Sequence, residues 1–144
     1  MIIRHINTND RDNWQKLFLG YAEFYKVEIN VSVIETVWSW LHDKDHEVNG
    51  LVVETDNTLV AFAHYRRMPS PLRGKDIGFL DDLYVSPDWR GNKISEKIID
   101  ELKIISKQKN WNLIRWITRD DNLRAKKVYD KVANLSNWDV YELD

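Results

Sequence analysis

Between Asp76 and Ile105 the chain changes its hydrophobic period. Asp76 to Val85 is a largely apolar run of strand length, closed by Ser86-Pro87-Asp88. Ile94, Ile98, Leu102 and Ile105 then recur at the spacing of one helix face. A strand delivered by a short loop into an amphipathic helix commits the chain to a mixed α/β domain, in which helices cover a sheet. The flanking sequence continues the pattern. Residues 2–6 read as a short strand. From Asn9 a helix begins, with Trp14, Leu17, Phe18, Tyr21 and Phe24 on one face and Thr8 or Asn9 as its cap. A second helix runs from about Ser32 to His42. Leu51–Glu54 and Leu59–Tyr65 are β-type runs joined by Asp56-Asn57, which reads as a hairpin, and Met68–Lys75 reads as a loop. A strand over Trp111–Thr118, a helix from Asn122 to about Val132 and an alternating last strand over Trp138–Leu143 complete the chain. The expected order is one strand, two helices, three strands, then helix, strand, helix and strand, with helices on both faces of one sheet.

Composition narrows the functions open to such a domain. The 144 residues suit a single domain over 1–144, and the seven Trp and six Tyr point to a bulky core. A net charge of -2 argues against a nucleic-acid or anionic-membrane binder, which carries a basic excess. The absence of cysteine excludes a disulfide framework and a thiolate nucleophile or ligand. No apolar run approaches the roughly 20 residues of a membrane helix, and Met1-Ile2-Ile3-Arg4-His5 does not open a secretion signal. A cytoplasmic protein is expected.

The stretch that carries chemistry is Phe79-Leu80-Asp81-Asp82-Leu83-Tyr84-Val85, followed by Ser86-Pro87-Asp88-Trp89-Arg90-Gly91-Asn92-Lys93-Ile94-Ser95. The loop opening a helix offers unpaired N–H groups at the positive end of the helix dipole, an arrangement that binds phosphate. Gly91 permits close backbone approach, and Arg90 and Lys93 add positive charge. With Leu83-Tyr84-Val85, Pro87 and Arg90 through Ser95, the sequence resembles the GNAT superfamily of N-acetyltransferases at its acetyl-CoA motif. A second family motif is matched by Asn122, Ala125, Val128, Tyr129, Asp130 and Lys131. The likeness covers residues 76–132, and the closing segment is similar to that of the polyamine and histone acetyltransferase branch. The chain departs from the family at Lys93 and Ser95, where glycine or a small residue is usual, and at Ala133-Asn134, where Gly-Phe is common.

The resemblance implies a GNAT fold: a mixed, mostly antiparallel sheet whose fourth and fifth strands splay apart. The pantetheine of acetyl-CoA enters that gap against Leu83, Tyr84 and Val85. Its diphosphate rests on Arg90, Gly91, Asn92, Lys93, Ile94 and Ser95, with Asn122, Ala125 and Lys131 contributing to the cofactor site. No metal is implied. Tyr129 would lie near the thioester sulfur and protonate the leaving thiolate, whose pKa of about 8.5 is below the tyrosine value of about 10. An acceptor ammonium, with a pKa of about 10.4, must lose a proton before it attacks. By similarity to relatives with Leu-Glu-Asp at this point, Asp81 is the base, acting through water, and Asp82 binds substrate. Alternate strand residues face opposite sides, so both carboxylates serve one cleft only if a bulge intervenes. Direct transfer in a ternary complex follows from the lack of a cysteine.

Each residue also has a plainer reading. Tyr129 could be a core aromatic, the acid pair a salt-bridged surface, and Asn122 an ordinary N-cap. His42 and His46 have metal-ligand spacing without a third ligand, so a polar helix end is the reading taken. Arg66-Arg67 flank the acidic strand as solvated charges or a lid. The resemblance implies that the end of the first helix, with Tyr21, Phe24 and Tyr25, shapes the acceptor pocket; most of these are expected in the core, and Tyr25, off the apolar stripe, is the one expected to face the pocket. The expected function is acetyl transfer to a primary amine of a small cationic substrate, a polyamine or amino-acid derivative. A protein lysine acceptor and a catalytically weak binding module are the alternatives. A homodimer joined near Trp138 and Tyr141 is expected, with no nucleic-acid or membrane partner.

Overall fold

The computed structural model describes all 144 residues, Met1–Asp144. Its elements in chain order are β1 (Ile2–His5), α1 (Arg11–Phe24), α2 (Val31–Leu41), β2 (Val48–Thr55), β3 (Thr58–Ser70), β4 (Lys75–Val85), α3 (Ile94–Gln108), β5 (Ile114–Trp116) and α4 (Leu123–Val132). The strands form one five-stranded sheet in the order β1-β2-β3-β4-β5. Pairing is antiparallel from β1 to β4, and β5 joins β4 in parallel. The β2–β3 hairpin turns at Asp56 and Asn57, with φ of 50° and 61°, the left-handed pair that matches the twist of the flanking strands.

Each face of the sheet has its own core. Trp14, Leu17 and Phe18 of α1 and Ile34 of α2 pack on Val52, Leu59 and Phe62. On the opposite face Ile94, Ile98, Leu102 and Ile105 of α3 pack with Trp111 on Leu51, Val53, Ala61, Ala63, Tyr65, Leu80 and Val85. Alternate side chains of one strand therefore feed two apolar layers, as a sheet covered on both sides requires. The helical stripe read from Ile94 to Ile105 is the one buried.

Several boundaries differ from the sequence reading. Asn7 caps the chain's entry into α1: its side chain accepts from Asn9 N–H, and Asp10 accepts from the Asn7 N–H in return. This reciprocal pair supplants the expected cap at Thr8 or Asn9. The loop expected over 68–75 is shorter, because β3 runs on to Ser70 and β4 starts at Lys75. The strand expected over 111–118 contracts to Ile114–Trp116. The last expected strand does not form. Trp138, Val140, Tyr141 and Leu143 are 65–101% exposed and join no strand ladder. Alternation marks a segment able to be a strand, but a strand exists only through a ladder, and β5 is only three residues long.

Candidate active site

Two features of β4 create the site. The first is a gap. β4 pairs with β5 only at Gly78, Phe79 and Leu80, so its edge from Asp81 to Val85 is free on that side. The second is a bulge. His64 of β3 stands opposite Asp82, while its neighbour Tyr65 stands opposite Leu80, which leaves Asp81 as the extra residue. A bulge breaks the strict alternation of side chains. Leu80 and Leu83 pack in the core under α3, while Asp81 and Asp82 engage Arg66 and His64. His64 lies against Phe18 and Phe62 in the layer under α1. The bulge that two adjacent acids need to lie on one side of the strand is present.

The carboxylates are held differently. Arg66 Nε donates to both oxygens of Asp81, at 3.2 and 2.9 Å, and its guanidinium lies 4.7 Å from the centre of the Phe79 ring. Burial nonetheless pushes the Asp81 carboxyl above its ordinary value; Arg66 opposes this and Asp82 reinforces it. Asp82 Oδ2 is 2.8 Å from His64 Nδ1.

Tyrosines from three elements converge beside them. Tyr21 and Tyr25 of α1 lie edge to face at 5.0 Å, and Tyr21 meets Tyr84 of β4 at 6.1 Å. Gly20 allows this approach, because a Cβ there would stand 2.8 Å from the Tyr84 hydroxyl. Burial, and then the charge of Asp82, raise the Tyr21 phenol far above its ordinary value. Tyr129 of α4 packs edge to face on Trp116 at 5.3 Å, and burial, with Tyr25 nearby, pushes its hydroxyl up to about 12. Asn122 joins the two sides: it caps α4 by accepting from Ala125 N–H at 3.3 Å and donates to the Tyr25 hydroxyl at 3.3 Å. Both readings of Asn122, as cap and as site residue, are compatible with these bonds.

The loop after β4 is the candidate anion-binding end. The first main-chain bond inside α3 runs from Lys97 N–H to Lys93 C=O, so the Ile94, Ser95 and Glu96 amides have no intrahelical acceptor. Gly91 and Lys93 have φ of 89° and 58°, and Lys93 is an exposed N-cap without a side-chain cap bond. Lys93 thus takes at some cost the left-handed conformation that glycine adopts freely. Arg90 turns inward: its Nε donates to Val85 C=O at 3.2 Å, and its guanidinium lies 5.4 Å from the Phe24 ring and 5.7 Å from Tyr84. Asn92 donates back to Trp89 C=O at 3.0 Å. Lys131 is exposed on the last turn of α4. The unpaired strand edge and the adjacent helix amides fit a linear amide-bearing thioester with an anionic tail.

Sequence reasoning did not single out Trp14, Tyr21 and His64, which the structure brings to the candidate site. The first two lie on an ordinary core stripe, and only the β3–β4 register places His64 opposite Asp82. His42 and His46, at the end of α2, pack against Trp38 and Trp40, and His46 Nδ1 accepts from Val48 N–H.

Comparison with known proteins gives the family and the fold. The model of the acetyltransferase (GNAT) family matches residues 12–134. The D-amino-acid N-acetyltransferase HPA3 of Saccharomyces cerevisiae is 24% identical over 99% of this chain and 89% of its own. The thialysine N-epsilon-acetyltransferase of Bos taurus is 26% identical over 90% of this chain and 81% of its own. Among solved structures, a possible acetyltransferase from Clostridium difficile superposes with a TM-score of 0.86 at 21% identity, covering 99% of this chain and 96% of that one.

Proposed function

Because this chain belongs to the acetyltransferase (GNAT) family, we propose that it moves the acetyl group of acetyl-CoA onto a primary amine of a small cationic or amino-acid-like substrate, by direct attack in a ternary complex. The observation that carries this reading is the bulge at Asp81, which sets two part-exposed carboxylates side by side where β5 stops pairing with β4.

When bound, acetyl-CoA supplies the electrophilic thioester carbon. The free edge of Leu83, Tyr84 and Val85 pairs with the amides of its arm. The amides of Ile94 and Ser95, with Gly91, Asn92 and Lys93 before them, receive its diphosphate. Arg90 braces this loop from behind, and Asn122, Ala125 and Lys131 flank the cofactor from α4. Asp82 holds the acceptor ammonium, with Tyr25 lining its pocket. Asp81 takes the proton through water, and a carboxyl raised by burial is the better base for that task. Tyr129 donates a hydrogen bond to the departing sulfur. Full transfer of its proton, from a hydroxyl near 12 to a thiolate near 8.5, would be uphill by about 5 kcal/mol, so the bond itself is the stabilising interaction.

Charge narrows the acceptor. Arg66 balances Asp81, which leaves the cleft one unbalanced carboxylate for one ammonium. Arg66 itself is part-exposed and can meet a substrate carboxylate. This favours amino-acid acceptors over polyamines, in keeping with the acceptors named for the yeast and bovine relatives. We also propose that the exposed segment around Trp138 and Tyr141 is covered in a homodimer.

The test is release of free thiol from acetyl-CoA against a panel of D- and L-amino acids, lysine analogues and polyamines. Tyr129→Phe is expected to lower kcat about a hundredfold with acetyl-CoA binding retained. Binding of acetyl-CoA without thiol release for any amine would instead establish a binding module, the reading that the departure from glycine at Lys93 favours.

A further inference from the structure

A polar chain crosses the apolar layer between α1 and the sheet. Trp14 Nε1–H donates to His64 Nε2 at 3.0 Å, and His64 Nδ1 stands 2.8 Å from Asp82 Oδ2. Trp14 is fully buried and His64 is 2% exposed, set among the rings of Phe18, Phe62 and Trp14. The side chain of Asp82 is 24% exposed at the outer end. A buried imidazole in an aromatic layer calls for an explanation, since an apolar side chain would fill the space without needing partners.

The direction of the chain follows from donor chemistry. An indole nitrogen only donates, so His64 Nε2 is the lone-pair nitrogen. The ring proton then sits on Nδ1 and is given to Asp82 Oδ2. One carboxylate oxygen is thereby fixed from the protein interior, while the side chain keeps a part-exposed outer end. The Tyr21 phenol stands beside the same carboxylate and stays protonated. Three elements, α1, β3 and β4, are tied into this line, and neither Trp14 nor His64 reaches the surface.

We propose that His64 is a positioning residue for the acceptor amine: it aims the Asp82 carboxylate, and Trp14 fixes the tautomer that lets it do so. The inference rests on the acetyl-transfer reading and adds to it an interior residue that sets the affinity for the amine. A substrate ammonium bound by a freely rotating carboxylate must also bear the loss of that rotation. A carboxylate already aimed binds it more tightly and in one place.

The experiment has two parts. Nitrogen-15 NMR of labelled histidine in the unmodified protein is expected to show the Nδ1-protonated tautomer for His64. Trp14→Phe, which removes the indole donor, is expected to let the Nε2-protonated form appear. In kinetics, His64→Gln places its amide at the Nε2 end and leaves Asp82 without its donor. His64→Asn places an N–H close to the Nδ1 position. His64→Gln is expected to raise KM for the amine about tenfold or more, with KM for acetyl-CoA within about twofold of the parent, and His64→Asn to recover most of that loss. A packing role would move both variants together and track their melting temperatures. An Nε2-protonated His64 in the parent overturns the proposal, as does an equal rise in KM for the two variants. An active protein in which His64→Gln keeps the parental KM sinks this inference alone. A parent that releases no thiol with any amine sinks the reaction assignment as well.

Discussion

From Gly78 to Leu80, β4 is paired on both sides, with β3 and with β5; beyond the bulge at Asp81, from Asp82 to Val85, it is paired with β3 alone. The first half is packed as a core. A Cβ on Gly78 would stand 2.7 Å from the Trp111 ring, and Leu80 is buried beneath α3. The second half keeps polar side chains partly desolvated and leaves one edge without a strand partner, with Val85 C=O taken by Arg90 instead, and both features cost free energy in an isolated domain. One strand therefore has two halves of different character: its closed half anchors the sheet, and its open half is the edge proposed above to receive the cofactor arm. The comparison teaches that the candidate site depends on where β5 stops, since ending the ladder at Trp116 is what exposes the β4 edge.

Substitutions in the two halves should separate activity from stability. Asp81→Asn in the open half is expected to lower kcat by a factor on the order of 10²–10⁴ while the melting temperature holds or rises slightly. A fall of less than about tenfold would place the base elsewhere. Gly78→Ala in the closed half is expected to do the reverse. It should cost about 2 kcal/mol in denaturant unfolding, through its clash with Trp111 and Ile114, with the rate per folded molecule unchanged.

A weaker contrast concerns pH. Hydrogen bonds from Arg4, at 2.8 and 2.9 Å, hold the Asp10 carboxyl below the usual range, with the Asn7 N–H adding to the effect. Its stabilisation is therefore present above the unfolded value of about 3.9 and is lost as pH falls through the lower folded value. Asp81 has the opposite sign. Its carboxyl is raised by burial, so its contribution is full below about 3.9 and declines as pH rises through the raised folded value. Melting curves across pH should show Asp10→Asn flattening the acid-side loss, and Asp81→Asn gaining on the parent above the ordinary carboxylate range. Parallel curves for the two variants would remove the distinction between a structural and a functional acid. The smallest expected effect is at Lys93. Replacing this left-handed residue by glycine should stabilise the fold by about 0.5 kcal/mol, strain relief outweighing the added freedom of the unfolded chain.

The site was legible in part. The Leu83-Tyr84-Val85 run, the Arg-Gly loop and the Asn122–Tyr129 spacing stand in the sequence, because a strand end, a helix start and a helix face are local patterns. The partners of those residues were not. Arg90 reads as a charge for the ligand, yet its guanidinium turns back to Val85 C=O and the Phe24 ring, a choice made by what packs around it. Arg66, read as a solvated or lid residue, lies on Asp81. The closing segment reads as a strand, but alternation states only which side chains could share a face and says nothing of which edge is free to receive them.

Hydrophobic period alone determined that this chain is a mixed α/β domain with a strand–loop–helix at its centre, since period depends on residues a few places apart. Register was decided by the tertiary structure. Whether Asp81 shares a face with Asp82, and whether His64 stands behind that pair, turns on a single extra residue in the pairing of β3 with β4. A shift of one residue exchanges the two faces of a strand, and such a shift is set by how two distant segments pack together.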